Sequence, residues 1–348
     1  MTKGPDGSAI SRPKCLCGPP AAVVHSAGSP RLLSRLNCRN CRVPSSPSHV
    51  TVDATARLML VAVSLAWGLT WPAMKIALNE IPPFSMRVGT CVLAVLTLFA
   101  VAVWRHRDVR IRSAVLAGHL VVAGVLNVTI FVLFSAFAQL ATSTSRVTVL
   151  SYTMPIWAAL FAYPILGERL NLARGVSLLL CVAGLTVLTY PLIGTSDLIG
   201  LALALGTAVS WAAGTVYLKW AQIDADPIAI AMWQLVVALV VTSAGLLLVE
   251  GSLHLWPVSQ SALWALVFCA LAGSAFAYLL WFEIVRRLPA MTASLGVLSA
   301  PVVGTVGSVL MLGERPTVSD IVGFVLILTA AAGVLLTPAS RDPVISSQ

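Results

Sequence analysis

The sequence predicts an all-α integral membrane protein in which ten transmembrane helices form two inverted five-helix repeats. The 348-residue chain is 58% hydrophobic and only 10% charged, whereas a soluble domain carries about 25% charged residues. Its mean hydropathy is +0.92. Several motifs also occur twice, once in each of two halves of about 145 residues. Most of the chain is therefore expected to lie in a bilayer, as two copies of one hydrophobic unit.

The clearest repeat closes an apolar run in each half. Pro155 precedes the triplet Gly167-Glu168-Arg169 by 12 residues, and Pro301 precedes Gly313-Glu314-Arg315 by the same distance, at an offset of 146. Another set of three residues, nearer the start of each half, recurs at an offset of 144: Trp67, Lys75 and Pro83 correspond to Trp211, Lys219 and Pro227. Internal repeats in a polytopic membrane protein are typical of secondary transporters.

The first part of the chain, residues 1–56, is rich in Ser, Pro, Gly and Arg and lacks the apolar core of a signal peptide. We expect a disordered basic leader, because little apolar surface is available to offset the chain entropy. A start codon assigned too far upstream and an organellar transit peptide are alternatives. Zinc binding is disfavoured by the spacing of the four cysteines in this segment: Cys15, Cys17, Cys38 and Cys41.

Ten apolar runs follow, separated by short polar breaks. They fall near 58–78, 84–104, 114–138, 143–165, 173–192, 199–219, 228–249, 263–285, 290–312 and 319–337. Each run is long enough to cross the hydrocarbon core as a helix, whose backbone hydrogen bonds are all internal. The two repeats are predicted at 57–193 and 198–338, followed by a cytoplasmic tail at 339–348.

The distribution of basic residues predicts the orientation. Nine lie on one side of the predicted spans: Arg105, Arg107, Arg110, Arg112, Arg169, Arg174, Lys219, Arg286 and Arg287. Four lie on the other: Lys75, Arg87, Arg146 and Arg315. The positive-inside rule therefore predicts that both termini are cytoplasmic. Because five helices per repeat is an odd number, the second copy enters the membrane upside down.

Further motifs in the same runs identify a family. The first half carries Trp67-Gly68, Lys75, Pro82-Pro83, Arg87, Pro155 and Gly167-Glu168-Arg169-Leu170. The second half carries Ser210-Trp211-Ala212, Tyr278, Trp281, Pro301 and Gly313-Glu314-Arg315. Over residues 58–338 this pattern resembles the EamA-type drug/metabolite transporter superfamily. The resemblance implies a ten-helix bundle with two inverted halves around a central cavity. Its members move small metabolites, often amino acids or their derivatives, and frequently outward.

Polar aromatic and amide side chains inside the predicted spans are candidates for a substrate cavity. A Trp N–H or Tyr O–H at this depth needs a partner, which a wet cavity or a neighbouring helix can supply. Buried polar groups in membrane helices usually face the bundle interior or a water-filled path. The candidates are Trp67, Trp71, Asn127, Tyr152, Trp211, Tyr217, Gln234, Tyr278 and Trp281.

Charged and titratable residues near the ends of the spans have two interpretations each. His119 and Glu283 are candidates for carrying a coupling proton. The alternative for His119 is a position at the membrane interface, and the alternative for Glu283 is an ion pair with residues 286–287. Glu168 and Glu314 are expected to be structural, because each follows a helix-ending glycine and an acid favours the positive end of the next helix dipole.

No catalytic residues, metal ligands or cofactors are predicted. The chain lacks His-Glu-x-x-His, Gly-x-Ser-x-Gly, a Walker A motif and Gly-x-Gly-x-x-Gly after a strand. The net charge of +9 does not indicate nucleic-acid binding, because the basic residues lie between apolar runs. The predicted partners are a small-molecule substrate and the lipid bilayer, and a monomer and a homodimer are both compatible with the sequence.

Two arginines on the side with fewer basic residues have two interpretations. Arg87 and Arg146 either attract an anionic group or extend to the interface.

The sequence therefore predicts a carrier in the plasma membrane, of the bacterial inner-membrane kind, that works by alternating access. The resemblance favours export of amino acids or related metabolites. A non-transporting sensor or assembly subunit that docks through its basic leader is the main alternative. An intramembrane enzyme that uses Glu283 or His119 is a third. Deletion of residues 1–50 would abolish the activity of the sensor and spare the carrier.

Overall fold

A computed structural model describes residues 54–167, 172–193, 195, 197–287 and 298–336. Within these ranges the secondary structure is helical and contains no strand. Several predictions concern residues outside the described ranges: the leader up to residue 53 with its cysteines, Glu168, residues 290–297 of the ninth predicted span, and the tail at 339–348.

The described ranges contain ten helical segments, which we label α1 to α10. In the first half these are α1 (Ala54–Leu78), α2 (Pro83–Trp104), α3 (Ala114–Ala141), α4 (Thr144–Leu166) and α5 (172–192). In the second half they are α6 (Asp197–Ala221), α7 (Pro227–Glu250), α8 (260–287), α9 (Ser299–Leu312) and α10 (Val318–Leu336). The eight segments α1 to α8 are long and apolar enough to cross a membrane, and α9 and α10 contain shorter apolar stretches.

Four of the long segments contain a local interruption of the α-helix. Turns of π-helix occur at Val125–Thr129 in α3, Leu246–Glu250 in α7 and Cys269–Phe276 in α8. In α4 the helix breaks at residues 152–153, just before Pro155. A proline has no N–H to donate and its ring clashes with the preceding turn, so the break lies where this residue requires it. Interruptions of this kind frequently occur at functional sites.

The glycines of the repeated triplets end their helices in the same way. Gly167 after α4 and Gly313 after α9 both have φ 68° and ψ 21°, in the left-handed region. Glycine adopts this conformation without the steric penalty of a Cβ atom, which is why it commonly follows a helix. The two glycines therefore have the same backbone conformation.

Helices pack mainly against helices of the opposite half. α1 packs against α8 and α9, and α6 packs against α3 and α4. α2 lies beside α7, and α5 lies beside α10. If each helix of one half is exchanged for the corresponding helix of the other half, five places away in chain order, the same pairs of neighbouring helices result.

Every second loop of the chain lies at one end of the bundle, where polar side chains join the neighbouring helix ends. The ends of α1 and α3 are joined by a hydrogen bond of 2.6 Å from Lys75 Nζ to the Gln139 carbonyl. Glu80, after α1, accepts from Ser259 at the start of α8. Arg146 in the first turn of α4 pairs with Asp197 and Asp320, which begin α6 and α10.

Small residues allow the closest helix contacts. A Cβ atom added to Gly68 of α1 would lie 2.6 Å from the Val303 Cβ and 2.7 Å from the Ala300 carbonyl oxygen, both in α9. Membrane helices associate through such small residues because the bilayer supplies no hydrophobic force between them. Gly118 of α3, by contrast, has no neighbouring atom within 4 Å of the position that a Cβ would take.

We expect Gly68→Ala to lower the thermal unfolding midpoint of the purified protein in detergent, because the added methyl group meets a backbone oxygen that cannot move alone. Gly118→Ala is the matched control, since the methyl group enters open space and alanine favours a helix over glycine by about 1 kcal/mol. Unfolding followed by tryptophan fluorescence would compare the two variants. Equal midpoints would show that α1 and α9 do not pack as described.

Candidate functional site

Three aromatic rings from both halves form a chain across the middle of the bundle. Trp71 of α1 lies 6.2 Å from Phe131 of α3 between ring centroids, at an interplanar angle of 65°. Phe131 lies 5.1 Å from Trp211 of α6. Both distances and tilts are typical of favourable aromatic pairs. Two of the predicted cavity residues are thus connected through Phe131, which the sequence analysis did not select.

A second aromatic pair joins α1 to α8. Trp67 and Trp281 have ring centroids 5.7 Å apart. The Trp67 indole donates a hydrogen bond of 3.1 Å to the Gly273 carbonyl. Gly273 lies in the π-helical turn of α8, where the α-helical hydrogen-bond ladder is interrupted and carbonyl groups become free for other donors. Trp67 therefore has the partner that its depth in the predicted span requires.

Tyr152 adds a phenol to the same region. It lies at the break in α4 and is buried in one hydrophobic cluster with Trp71, against which Phe131 and Trp67 also pack. The structure thus brings five predicted residues into one aromatic region contributed by both halves, which we call the aromatic cluster: Trp67, Trp71, Tyr152, Trp211 and Trp281.

The remaining predicted cavity residues form separate contacts. Asn127, in the π turn of α3, donates a hydrogen bond of 3.1 Å from Nδ2 to Gln234 Oε1 of α7. Both side chains are buried, and Asn127 Oδ1 has no hydrogen-bond partner. Tyr278 packs against a different cluster, which contains Cys91 and Met232.

The two candidates for proton coupling differ in their surroundings. His119 Nδ1 and the Tyr217 hydroxyl are 2.7 Å apart, and Trp220 completes a small aromatic group around them. This contact links α3 to α6 and joins a coupling candidate to a cavity candidate. Glu283 is partly buried in α8. The side chains of residues 286–287, which the sequence analysis offered as its ion-pair partners, lie outside the described side chains.

Glu314 caps the start of a helix in the opposite half. Its carboxylate accepts hydrogen bonds from the backbone N–H groups of Thr144 and Ser145, at 2.6 and 2.9 Å, and from the Ser145 hydroxyl. The first N–H groups of a helix have no partner within the helix, and a carboxylate is the strongest acceptor for them. The helix that receives this cap is α4. The sequence analysis expected the acid to act on the following helix, α10, because 170 residues separate the true partners in the chain.

Glu250 makes an equivalent contact with α2. Its two carboxylate oxygens accept from the N–H groups of Phe84 and Ser85 and from the Ser85 hydroxyl, at 2.7 to 2.8 Å. Glu80 accepts from the N–H and hydroxyl of Ser259. These hydrogen bonds hold the pKa of the exposed Glu80 carboxyl below its usual value.

Arg146 completes this end of the bundle. Its guanidinium forms two hydrogen bonds with Asp320, from Nε at 2.7 Å and from Nη2 at 3.1 Å, and a third with Asp197 from Nη1 at 2.7 Å. Asp320 also caps its own helix through Thr317. Arg146 therefore does not extend to the interface, because two carboxylates of the opposite half hold it. We call the six residues that join the halves here the clasp: Glu80, Arg146, Asp197, Glu250, Glu314 and Asp320.

Sequence reasoning missed most of the clasp. Asp320 had a usable signal, since Thr317-x-x-Asp320 is a capping box directly before an apolar run. Glu250 and Asp197 had no local signal, because their partners lie more than 50 residues away in the chain. In the described ranges, no group of three or more His, Cys, Asp or Glu side chains is arranged to hold a metal ion.

Comparison with known proteins assigns the chain to a family. The model of the EamA-like transporter family matches it twice, at residues 54–190 and 198–336. The chain belongs to the EamA-like transporter family. It is therefore a multi-pass membrane protein and a membrane transporter, with a small-molecule substrate and a lipid environment.

Several curated proteins are similar over most of the chain. The uncharacterized transporter YoaV of Bacillus subtilis is 26% identical over 78% of this chain and 93% of its own length. A probable amino-acid metabolite efflux pump of Escherichia coli is 23% identical, over 80% of this chain and 92% of its own length. A solved crystal structure matches with a TM-score of 0.56 at 24% identity, covers 80% of this chain and 96% of that chain, and shows the same fold.

We expect Arg146→Met to destabilise the protein strongly. Asp320 keeps only 5% of its side-chain surface exposed, and removal of one partner of a buried ion pair costs about 3–5 kcal/mol. The thermal unfolding midpoint in detergent and the yield of monodisperse protein should both fall.

Arg315→Met is the matched control, because Arg315 is exposed and should tolerate the change. Arg146→Met combined with Asp320→Asn should recover part of the loss, since the orphaned charge is removed. A single variant as stable as the wild type would show that the clasp contributes nothing to the folded state.

Proposed function

We propose that this transporter exports small metabolites, of the amino-acid type, by alternating access of two inverted halves. The observation that carries the proposal is the clasp, in which all six residues form contacts between the halves at one end of the bundle. A carrier of this kind needs a central site and an end that closes by contacts which can be broken again.

The connections of the chain support the proposed inverted arrangement of ten spans. α1 ends at the clasp, whereas its repeat counterpart α6 begins there, so the two run in opposite directions. The set of helix neighbours is also unchanged when each helix is exchanged for its counterpart. These observations support two five-helix repeats, at 57–193 and 198–338, with α9 and α10 as the last two spans.

The clasp has the chemistry of a reversible closure. Its contacts are hydrogen bonds with a charged partner, which are strong when water is excluded and are replaced by water when the end opens. Opening at this end must separate Glu250 from Ser85, Glu314 from Ser145 and Arg146 from Asp320 together. We assign this end to the non-cytoplasmic face, because the basic loops lie at the opposite end and both termini are then cytoplasmic.

The aromatic cluster is the proposed substrate site. Indole and phenol groups offer apolar surface with a few hydrogen-bond donors, which suits a small amphipathic metabolite. The Asn127–Gln234 pair and Tyr278 would extend the site with polar groups. His119 and Glu283 stay the proposed coupling residues, and the His119 imidazole lies within hydrogen-bond distance of the Tyr217 hydroxyl. The relatives named as amino-acid metabolite efflux pumps support the substrate class and the direction.

We expect overproduction of the chain in bacterial cells to raise the extracellular level of specific amino acids or related metabolites, measured by mass spectrometry. Trp211→Ala should reduce this export at unchanged protein abundance, because it removes the ring that packs on Phe131 and contributes the α6 side of the aromatic cluster. Trp264→Ala is the matched control, since Trp264 is 65% exposed and packs little. Export that is insensitive to Trp211→Ala would remove the aromatic cluster as the site.

The same cells separate the carrier from the non-transporting sensor. Deletion of residues 1–50 should leave export unchanged in a carrier and abolish the function of a sensor. Unchanged metabolite levels, with the protein present in the membrane, would refute export.

The orientation predicts which loops a membrane-impermeant maleimide reaches in intact cells. In a variant without the leader cysteines, Ser252→Cys, between α7 and α8, should react directly. Asp108→Cys, between α2 and α3, should react only after permeabilisation. The three described native cysteines are buried, so they contribute little background. The reverse pattern would place both termini outside the cell.

A further inference from the structure

Arg87 is a buried cation inside a predicted membrane span. It lies in the second turn of α2 and is 7% exposed. Its Nη2 contacts the Met74 thioether and donates a hydrogen bond of 2.9 Å to the Ser135 hydroxyl. Its Nε is fully buried and has no hydrogen-bond partner. A guanidinium has five N–H groups to donate, so this one is poorly satisfied.

No carboxylate of the described residues pairs with Arg87. Glu250 of α7 caps the start of α2, but its carboxylate oxygens already accept hydrogen bonds from Phe84 and Ser85. The described contacts of its charged group are instead neutral, namely the Met74 thioether and the Ser135 hydroxyl. An unpaired charge in a low-dielectric interior costs several kcal/mol, and charged residues in membrane spans usually mark a substrate or ion path.

Next to Arg87, the α3 helix contacts a second cation, Lys75 of α1, and carries a side-chain acceptor without a hydrogen-bond partner, Gln139 Oε1. Arg87 contacts Ser135, and Lys75 donates to the carbonyl of Gln139, one helical turn further along. The Gln139 side chain is fully buried, and its Nε2 donates to the Trp71 carbonyl. This bond assigns the amide orientation and leaves Oε1 buried without a partner. The region thus offers an unfilled donor, an unfilled acceptor and excess positive charge.

We infer that Arg87 binds the carboxylate of the transported substrate and that Gln139 Oε1 accepts a hydrogen bond from its neighbouring ammonium group. This inference rests on the proposed transport function and names its substrate class as α-amino acids. A carboxylate accepts two parallel N–H bonds from a guanidinium. It would take the free Nε–H together with an adjacent N–H, in place of the weak thioether acceptor of Met74.

The repeat does not supply a second copy of Arg87. The residue at the repeat offset of 144 from Arg87 is Ala231, so the second half supplies no equivalent cation. Trp71 belongs to the aromatic cluster, and its backbone carbonyl accepts the hydrogen bond from Gln139, so the site is continuous with that cluster. A purely structural Arg87 would be expected to have a carboxylate or several carbonyl partners, as Arg146 has carboxylates.

The test is ligand-dependent thermal stability of the purified full chain in detergent, at constant ionic strength. The probes are the common L-amino acids, the corresponding amino-acid amides, which lack the carboxylate, and the deaminated acids, which lack the ammonium group. At least one amino acid should raise the unfolding midpoint of the wild type. Its amide should bind at least about tenfold more weakly, as expected for loss of a charge-assisted hydrogen bond.

Arg87→Gln should abolish the shift produced by the amino acid. Arg87→Lys should retain part of it, because the charge remains and the planar fork is lost. Without ligand, Arg87→Gln should unfold at the same or a higher temperature, since the cost of the buried charge disappears. Arg315→Gln, at an exposed position, should behave like the wild type.

Three outcomes would overturn the inference: no amino acid stabilises the wild type, the amide stabilises it as well as the acid, or Arg87→Gln lowers the midpoint and retains the ligand-dependent shift. The amide comparison uses the wild type alone and stays informative if a variant does not fold. Transport in liposomes separates the two proposals. Binding through Arg87 without transport refutes the carrier, and export of metabolites without a carboxylate, unaffected by Arg87→Gln, refutes the site.

Discussion

The start of a membrane helix presents N–H groups that lipid cannot satisfy, and in this protein carboxylates from the opposite half satisfy them. Glu314 caps α4 and Glu250 caps α2, each through two backbone N–H groups and one serine hydroxyl. In a bilayer the alternative to such a cap is an unpaired polar group, which costs several kcal/mol. The caps therefore do two things at once. They complete individual helices, and they hold together two halves that no disulfide or metal site joins in the described residues. The same two halves also meet where α1 packs on α9 and where both contribute rings to the aromatic cluster.

The same interactions suit a protein that changes shape. Each cap is made by a carboxylate near the end of the bundle, where water is available as soon as the end opens, so no charge has to be left dry. Arg146 differs in degree, because Asp320 holds it bidentately and is almost fully buried. If this end opens as proposed, separation of Arg146 from Asp320 is expected to cost more than separation of either cap. Arg87 is the opposite case, a deeply placed cation whose neighbours do not neutralise it. In the proposed mechanism, Arg146 contributes to closure of the empty protein, and Arg87 gains its missing partners from the substrate.

The helical fold was predictable because apolar run length and repeated motifs are local properties of the sequence. The predicted span at 84–104 corresponds to Pro83–Trp104 in α2, and the glycines of both triplets end their helices as expected. The contacts that matter most for the site were not predictable. Glu314 pairs 170 residues away, and whether Arg87 is paired, buried or extended to the interface depends on which helices surround it. Periodicity reports which residues are apolar, but it does not report which helix faces which. Interruptions such as the π turn around Asn127 leave no pattern in the sequence at all.

The halves share their motifs but only some of their charges, and this asymmetry bears on the proposed direction of transport. At the repeat offsets, Arg146 corresponds to Thr292, Asp320 to Arg174 and Glu250 to His106. Two identical halves would give two end states of equal energy, related by symmetry. Only part of the clasp differs between the halves, because Glu314 corresponds to Glu168 whereas Arg146, Glu250 and Asp320 are replaced at the repeat offsets. In the proposed carrier, closure at the opposite end would therefore use different interactions, and the two end states would differ in energy when the carrier is empty. The proposed ion pair between the substrate carboxylate and Arg87 would form near the start of α2. Glu250 already accepts hydrogen bonds from Phe84 and Ser85 there, so the substrate would act close to the clasp. Occupancy of the site can thus change the relative energy of the two states through α2, without any second ligand.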